Sequence, residues 1–267
     1  GLVGSEMCIR DRISPYYLKK TQSGAFNHFL RVSGAAALSG EAIAGCHDRG
    51  RYYLSKTRDD ISYYKNRAED LLKNASPLMD IYREDSARGL RAFLLADAEN
   101  TGKRRNILSV PPFYSAEPEF LEELLKKREI PAEDIDNILE FAHSQRELAE
   151  KILKNGGITD EIPIISREEF ERHPTVLPLS GMFYGKDICL TYDEYSEHIR
   201  QTERFMQTHE NYIAEFTKAN AFRNLQILIH EGQWAMISKG NAPAIHFVIH
   251  HPKLRSAIEN FIPPVVE

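Results

Sequence analysis

The last forty or so residues limit most tightly what this chain can fold into. Leu225, Ile227 and Ile229 alternate with Asn224, Gln226 and His230, the period of a strand with one buried face. Glu231-Gly232-Gln233 interrupts the run, and Gly232 is free to take the positive φ of a tight hairpin. Trp234 to Ser238 reads as a second strand, Lys239-Gly240-Asn241-Ala242-Pro243 as a turn, and Ile245 to Ile249 as a third strand. Pro252 suits the first turn of a helix, along which Leu254, Ala257, Ile258 and Phe261 fall at helical spacing. The expectation is an antiparallel meander with a C-terminal helix on its apolar face. A well-patterned sheet without a catalytic motif points to a sensing or scaffolding module.

Upstream, glycines at 24, 34 and 40 interrupt a region rich in Tyr17, Leu18, Phe26, Phe29 and Leu30, which reads as helical pieces from Ser14 to about Ala44. Leu54, Ile61, Tyr64, Ala68, Leu71 and Leu72 trace a helical stripe from Tyr53 to Ala75, and Leu90, Phe93 and Leu94 place another helix between Glu84 and Ala98. Pro111-Pro112 and Pro118 mark a connector, so the expected division is a helical segment, 13–110, and an α/β effector-like segment, 111–267. Within the latter, a short helix at Phe120 to Leu125 precedes a long one from Ala132 to Leu153. Capping boxes at Ser166/Glu169 and Thr191/Glu194 open two more, and Tyr212 to Phe216 suggests a strand. The expected class is mixed α+β. Residues 1–12 read as translated sequencing-adapter read-through or a disordered tail and are set aside. On the first reading the natural chain starts near Ile13 and its true N-terminus is missing.

A formal net charge of -5 gives no support for a broad nucleic-acid-binding face. The basic triplets Lys103-Arg104-Arg105 and Lys126-Lys127-Arg128 are read as solvated surface. Cys8, Cys46 and Cys189 lie far apart without metal-ligand or disulfide spacing, which fits a reducing compartment. With no apolar run of membrane-spanning length, the expected location is the cytoplasm, away from the membrane.

The candidate chemistry is histidine chemistry. His246 and His250 project from one face of the third strand and could approach His230, a plausible metal or acid/base cluster for a hydrolase. Against this stands the plainer reading of polar residues on the solvent face of a half-exposed sheet, which is favoured because no carboxylate pair or cysteine completes the set. His251-Pro252-Lys253 matches the start of the phospholipase D signature, but Ile258 stands where its aspartate is required and a second copy is missing, so the hydrolase alternative extends at most to a degenerate relative of that sheet. Asp187, Asp193, Glu194, Glu197 and His198 form a further polar group, in which Glu194 is already explained as a capping partner. Serine-hydrolase, P-loop and dinucleotide-binding motifs are absent, so no cofactor and no resident metal are expected. Tyr184 and Trp234 are the candidates for a ligand pocket, although aromatic side chains more often fill cores.

Lys103 to Ser109 followed by Pro111-Pro112, Phe222 to Ile227, His230 to Lys239, and Ile245 to Pro252 together resemble the long C-terminal region of XRE-type helix-turn-helix transcriptional regulators from Clostridia-like bacteria. The resemblance covers nearly everything after Ile13. It implies a ligand-sensing and dimerisation region of a bacterial regulator, with a small-molecule effector and a homodimer. DNA would be contacted only through an N-terminal domain missing from this chain. No functional residue carries over from it.

Overall fold

The computed structural model describes residues 15–18, 26–177, 188–218, 225–239 and 244–263. The chain divides into two compact units, Gly1–Met79 and Asp80–Glu267.

In the first unit, β1 (Tyr16–Tyr17) pairs with a short strand described below, while β2 (Phe26–Val32), β3 (Ala37–Ile43) and β4 (Arg51–Ser55) form an antiparallel sheet in that order. Strands therefore stand where glycine-broken helical pieces were expected. Gly40 is a contact site rather than a helix break: a Cβ there would lie 2.2 Å from the Tyr52 ring, which packs across it. Helix α1 (Arg58–Lys73) starts five residues later than its apolar stripe suggested, because Tyr53 and Leu54 belong to β4 and Thr57 caps the helix by accepting from Asp60 N–H. β5 (Ser76–Pro77) completes the pair with β1. Among the side chains of this unit whose burial is described, only Ala37 and Ala42 are fully buried.

The second unit is built on one seven-stranded sheet. In chain order its elements are β6 (Asp80–Arg83), α2 (Ala87–Asp97), β7 (Gly102–Ile107), α3 (Pro118–Lys127), α4 (Ala132–Asn155), β8 (Gly156–Pro163), α5 (Arg167–Arg172), α6 (Tyr192–Thr208), β9 (Tyr212–Thr217), β10 (Leu225–His230), β11 (Trp234–Lys239), β12 (Ile245–Ile249) and α7 (Pro252–Glu259). The sheet order is β6-β12-β11-β10-β7-β8-β9. Pairing is antiparallel from β6 to β7 and parallel from β7 to β9. The parallel half needs long crossovers, which α3–α4 and α5–α6 supply. The protein is thus mixed α+β.

The division falls at Met79/Asp80 rather than near Val110. β7, which precedes Pro111-Pro112, is hydrogen-bonded to β8 and β10, which follow it, so a cut at 110 would sever two ladders. The meander itself matches its pattern, with Gly232 at φ 76° and Ile249 ending the third strand; residues 240–243 of the second turn lie outside the described residues. α7 begins at Pro252, its amide at Leu254 donates to the His251 imidazole, and Ile258 and Phe261 pack on Ile107, Ile227, Ile229 and Ala235.

The meander's other face is buried as well. Trp234, Met236 and Val248 pack against Leu90, Phe93 and Leu94 of α2. In the parallel half, Ile158, Ile162, Tyr212 and Ala214 meet Ala149 and Leu153 of α4 and Phe205 of α6. Fully buried side chains such as Ile162 and Val248 each contribute roughly 1.5–3 kcal/mol. Of the two predicted capping boxes, Thr191 and Glu194 bond reciprocally, and at the other Ser166 accepts from Glu169 N–H. Among the described residues no helix is long and apolar enough to cross a membrane.

Candidate functional site

β7 is the pivot of the sheet, with an antiparallel neighbour on one side and a parallel one on the other. Register places Arg104 beside His230 and Ile158, and Asn106 beside Leu228 and Asp160. Side chains alternate between faces, so Arg104, Asn106, His230, Asp160 and Trp234 all project toward the layer of α2 and α4. Of the triplet Lys103-Arg104-Arg105 only Lys103 is exposed, so solvated surface is the wrong reading for the two arginines. Arg104 is 5% exposed, and Arg105 crosses to the other face to pair with Glu161 at 2.6 Å. A basic run in a strand splits between faces, and a central strand has no solvent edge.

Asp97, the last residue of α2, organises the first half of the site. One carboxylate oxygen accepts from Trp234 Nε1 and His230 Nδ1, each at 2.8 Å; the other accepts from Arg104 Nη2 at 2.9 Å. Arg104 also donates to the carbonyls of Asp97, Asn100 and Gly102, placing a cation on the orphaned carbonyls at the helix C-terminus. Burial pushes the Asp97 carboxyl upward, but the bonds from Trp234 and His230 and the Arg104 charge outweigh it and hold it below the usual range. His230 Nε2 lies 3.2 Å from Thr101 O, so both ring nitrogens are taken. Gly102, at φ 141°, lets the ring approach: a Cβ there would sit 2.6 Å from Nε2.

Asp160 organises the second half from the middle of β8. It is completely buried and accepts from Asn106 Nδ2 at 2.7 Å, Tyr114 OH at 2.5 Å and Tyr212 OH at 2.8 Å. Burial pushes this carboxyl up to about 6, against the three donors that favour its ionised form. The Tyr114 and Tyr212 hydroxyls are raised in turn, chiefly by burial and by the neighbouring Asp160 charge.

Between the two halves, under α2 and α4, lies a cavity of about 80 Å³. Leu94, Leu148, Ile152 and Leu228 give it apolar walls; Asp97, Arg104, Asn106, Tyr114, Gln145 and Trp234 give it a polar side. It is roughly half the size of a ~150 Å³ cavity that takes up benzene, so it suits a few waters or a molecule of a few heavy atoms. The charged groups are already bonded to one another. The cavity thus sets apolar walls beside hydrogen-bonding groups whose charges are already partnered.

The histidines named from sequence do not converge. His230 serves Asp97 and Thr101. His246 lies buried opposite Ser238, 2.5 Å from its hydroxyl, and burial lowers its pKa. His250 is half exposed beside Asp80 and the Phe93 ring. The half-exposed sheet assumed for them is also corrected, since α2 covers that face. Among the described residues no three His, Cys, Asp or Glu are placed to hold a metal ion. His251 caps α7.

Trp234 is buried and lines the cavity, whereas Tyr184 lies outside the described residues, as does Asp187. Of the remaining acidic group, Glu194 is held by Arg128 and Thr191, Asp193 by Arg167, and Glu197 by Arg200 and Arg204. His198 is fully buried against Pro112 O and Ser115, and burial pushes it down to about 4. Sequence reading missed Asp97, Arg104, Asn106 and Asp160. The one available signal was Asp160 standing two residues from both Ile158 and Ile162, at the buried parity of a strand.

No protein-family model, curated protein or solved structure matches the chain.

Proposed function

We propose that residues 80–267 are the effector-sensing region of a bacterial transcriptional regulator that acts as a homodimer and contacts DNA through a domain outside this chain. The cavity between α2, α4 and β7 carries the sensing part of this reading. Its polar side is prearranged by the Asp97 and Asp160 networks, so a ligand enters without reorganising buried charge. The Gln145 carboxamide forms no hydrogen bond with a described residue, and only the amide nitrogen of Asn106 is bonded, to Asp160. The fitting effector is a molecule of a few heavy atoms with a short apolar part and one or two hydrogen-bonding groups. Occupancy would be felt directly by α2 and α4, the two helices that wall the site. The resemblance to XRE-type regulators and the scatter of His230, His246 and His250 among the described residues support the regulator reading over a hydrolase.

A thermal-shift screen with small metabolites tests it. The expected result is a rise in melting temperature that disappears in Ala149→Leu, a substitution that fills the cavity from α4. A library without a single stabilising compound, or a shift that survives in a folded Ala149→Leu protein, would refute the site. An upstream open reading frame without a helix-turn-helix would refute the regulator.

A further inference from the structure

We infer that the outer edge of β4 pairs with the same strand of a second copy of this chain, joining two three-stranded sheets into one six-stranded sheet. β4 bonds to β3 along one edge only, and its other edge meets no strand among the described residues. Edge strands that stay single are commonly blunted by proline, a bulge or central charge. The five residues of β4 have none of these: the register with β3 is unbroken, and Arg51, its sole charge, stands at the first position. The next three side chains are large, apolar or aromatic, and open to solvent, with Tyr52 46%, Tyr53 59% and Leu54 62% exposed. Behind them, Ala37 and Ala42 are the only fully buried side chains among those described in this unit.

Charge and shape select a second copy as the occupant. An antiparallel two-fold through Tyr53 sets Tyr53 against Tyr53, Tyr52 against Leu54 and Arg51 against Ser55. Every residue of the strand is then used, aromatic meets aliphatic or aromatic, and the arginine faces a hydroxyl instead of its own copy. Tyr52 is already fixed for this: its ring lies over Gly40, its hydroxyl donates to His47 O at 3.1 Å, and Phe29 stands edge-on at 6.4 Å. Phe29, Tyr52 and Leu54 share one face, so pairing would extend that apolar strip across the two-fold. The inference names the surface for the homodimer in the proposed function, yet it is independent of what the cavity binds.

Sedimentation of the full chain should give twice the 30.6 kDa chain mass. Tyr53→Lys and Tyr53→Glu should each halve it, by setting like charges opposite one another, and an equimolar mixture of the two should restore it. Tyr53→Cys places two thiols on a cross-strand pair whose Cα atoms are about 4.5–5.5 Å apart, within disulfide reach. It should form a covalent dimer at least tenfold faster than Tyr63→Cys, an equally exposed position on α1 that keeps the same native cysteines. A monomeric wild-type chain, a dimer that survives both charge variants, or equal cross-linking at 53 and 63 would overturn the pairing. A monomer that still binds a small effector would overturn it while leaving the sensing reading intact.

Discussion

Replacing Asp160 with asparagine follows a single proton, because two opposing effects meet at that carboxylate. Complete burial disfavours its charge, whereas Asn106, Tyr114 and Tyr212 all donate to it. With burial ahead, the native carboxyl titrates at about 6 against an ordinary 3.8. The native state then holds the extra proton between those values, so this group stabilises the fold at low pH and loses that contribution as pH rises through 6. Between about pH 8 and about pH 5 the gain is on the order of 1 kcal/mol. Asparagine has no such proton. Its constant cost, from substituting one acceptor oxygen by a donor, cancels when the stability difference between wild type and Asp160→Asn is compared at the two pH values. Urea unfolding at both should show wild type gaining on the order of 1 kcal/mol on the variant at the lower pH. A flat difference, or one that moves the other way, would mean that the three hydrogen bonds outweigh burial and that the reasoning about Asp160 is wrong.

Two further outcomes follow from the same networks. Asp97→Ala leaves Arg104 as a buried cation without its partner and frees the donors of His230 and Trp234, and should cost about 3–5 kcal/mol in chemical unfolding. Trp234→Phe loses one bond and should cost about 1 kcal/mol through it, so equal losses for the two variants would show that Asp97 does not tie the cluster together. His198, held down to about 4 by burial from an ordinary 6.5, contributes stability above 6.5 that disappears as pH falls toward 4. His198→Phe should therefore gain on wild type by up to about 3 kcal/mol on acidification, and parallel pH profiles would refute that burial.

The legible parts of the molecule were those where neighbouring residues decide. The meander and α7 were readable because period-two alternation, Gly232 and Pro252 act within a few residues of themselves. The capping box at Thr191 and Glu194 was readable for the same reason. The stretch around Gly40 was not, since its glycine answers to Tyr52 on the next strand, a contact that no local pattern encodes.

The candidate site belongs wholly to the second kind. His230 and Trp234 could be singled out by residue type, but whether they gather around a metal or bond to structure depends on Asp97, which lies more than a hundred positions away in the chain. Local patterning was enough for a mixed α+β chain, most of its helices and the closing meander. The central place of β7, the burial of Arg104 and the meeting of Asp160 with Asn106, Tyr114 and Tyr212 beside a small cavity emerge once the layers are assembled. The physical reason is that strand order and register are set by burial of both sheet faces, a property of the assembled layers and not of any one segment.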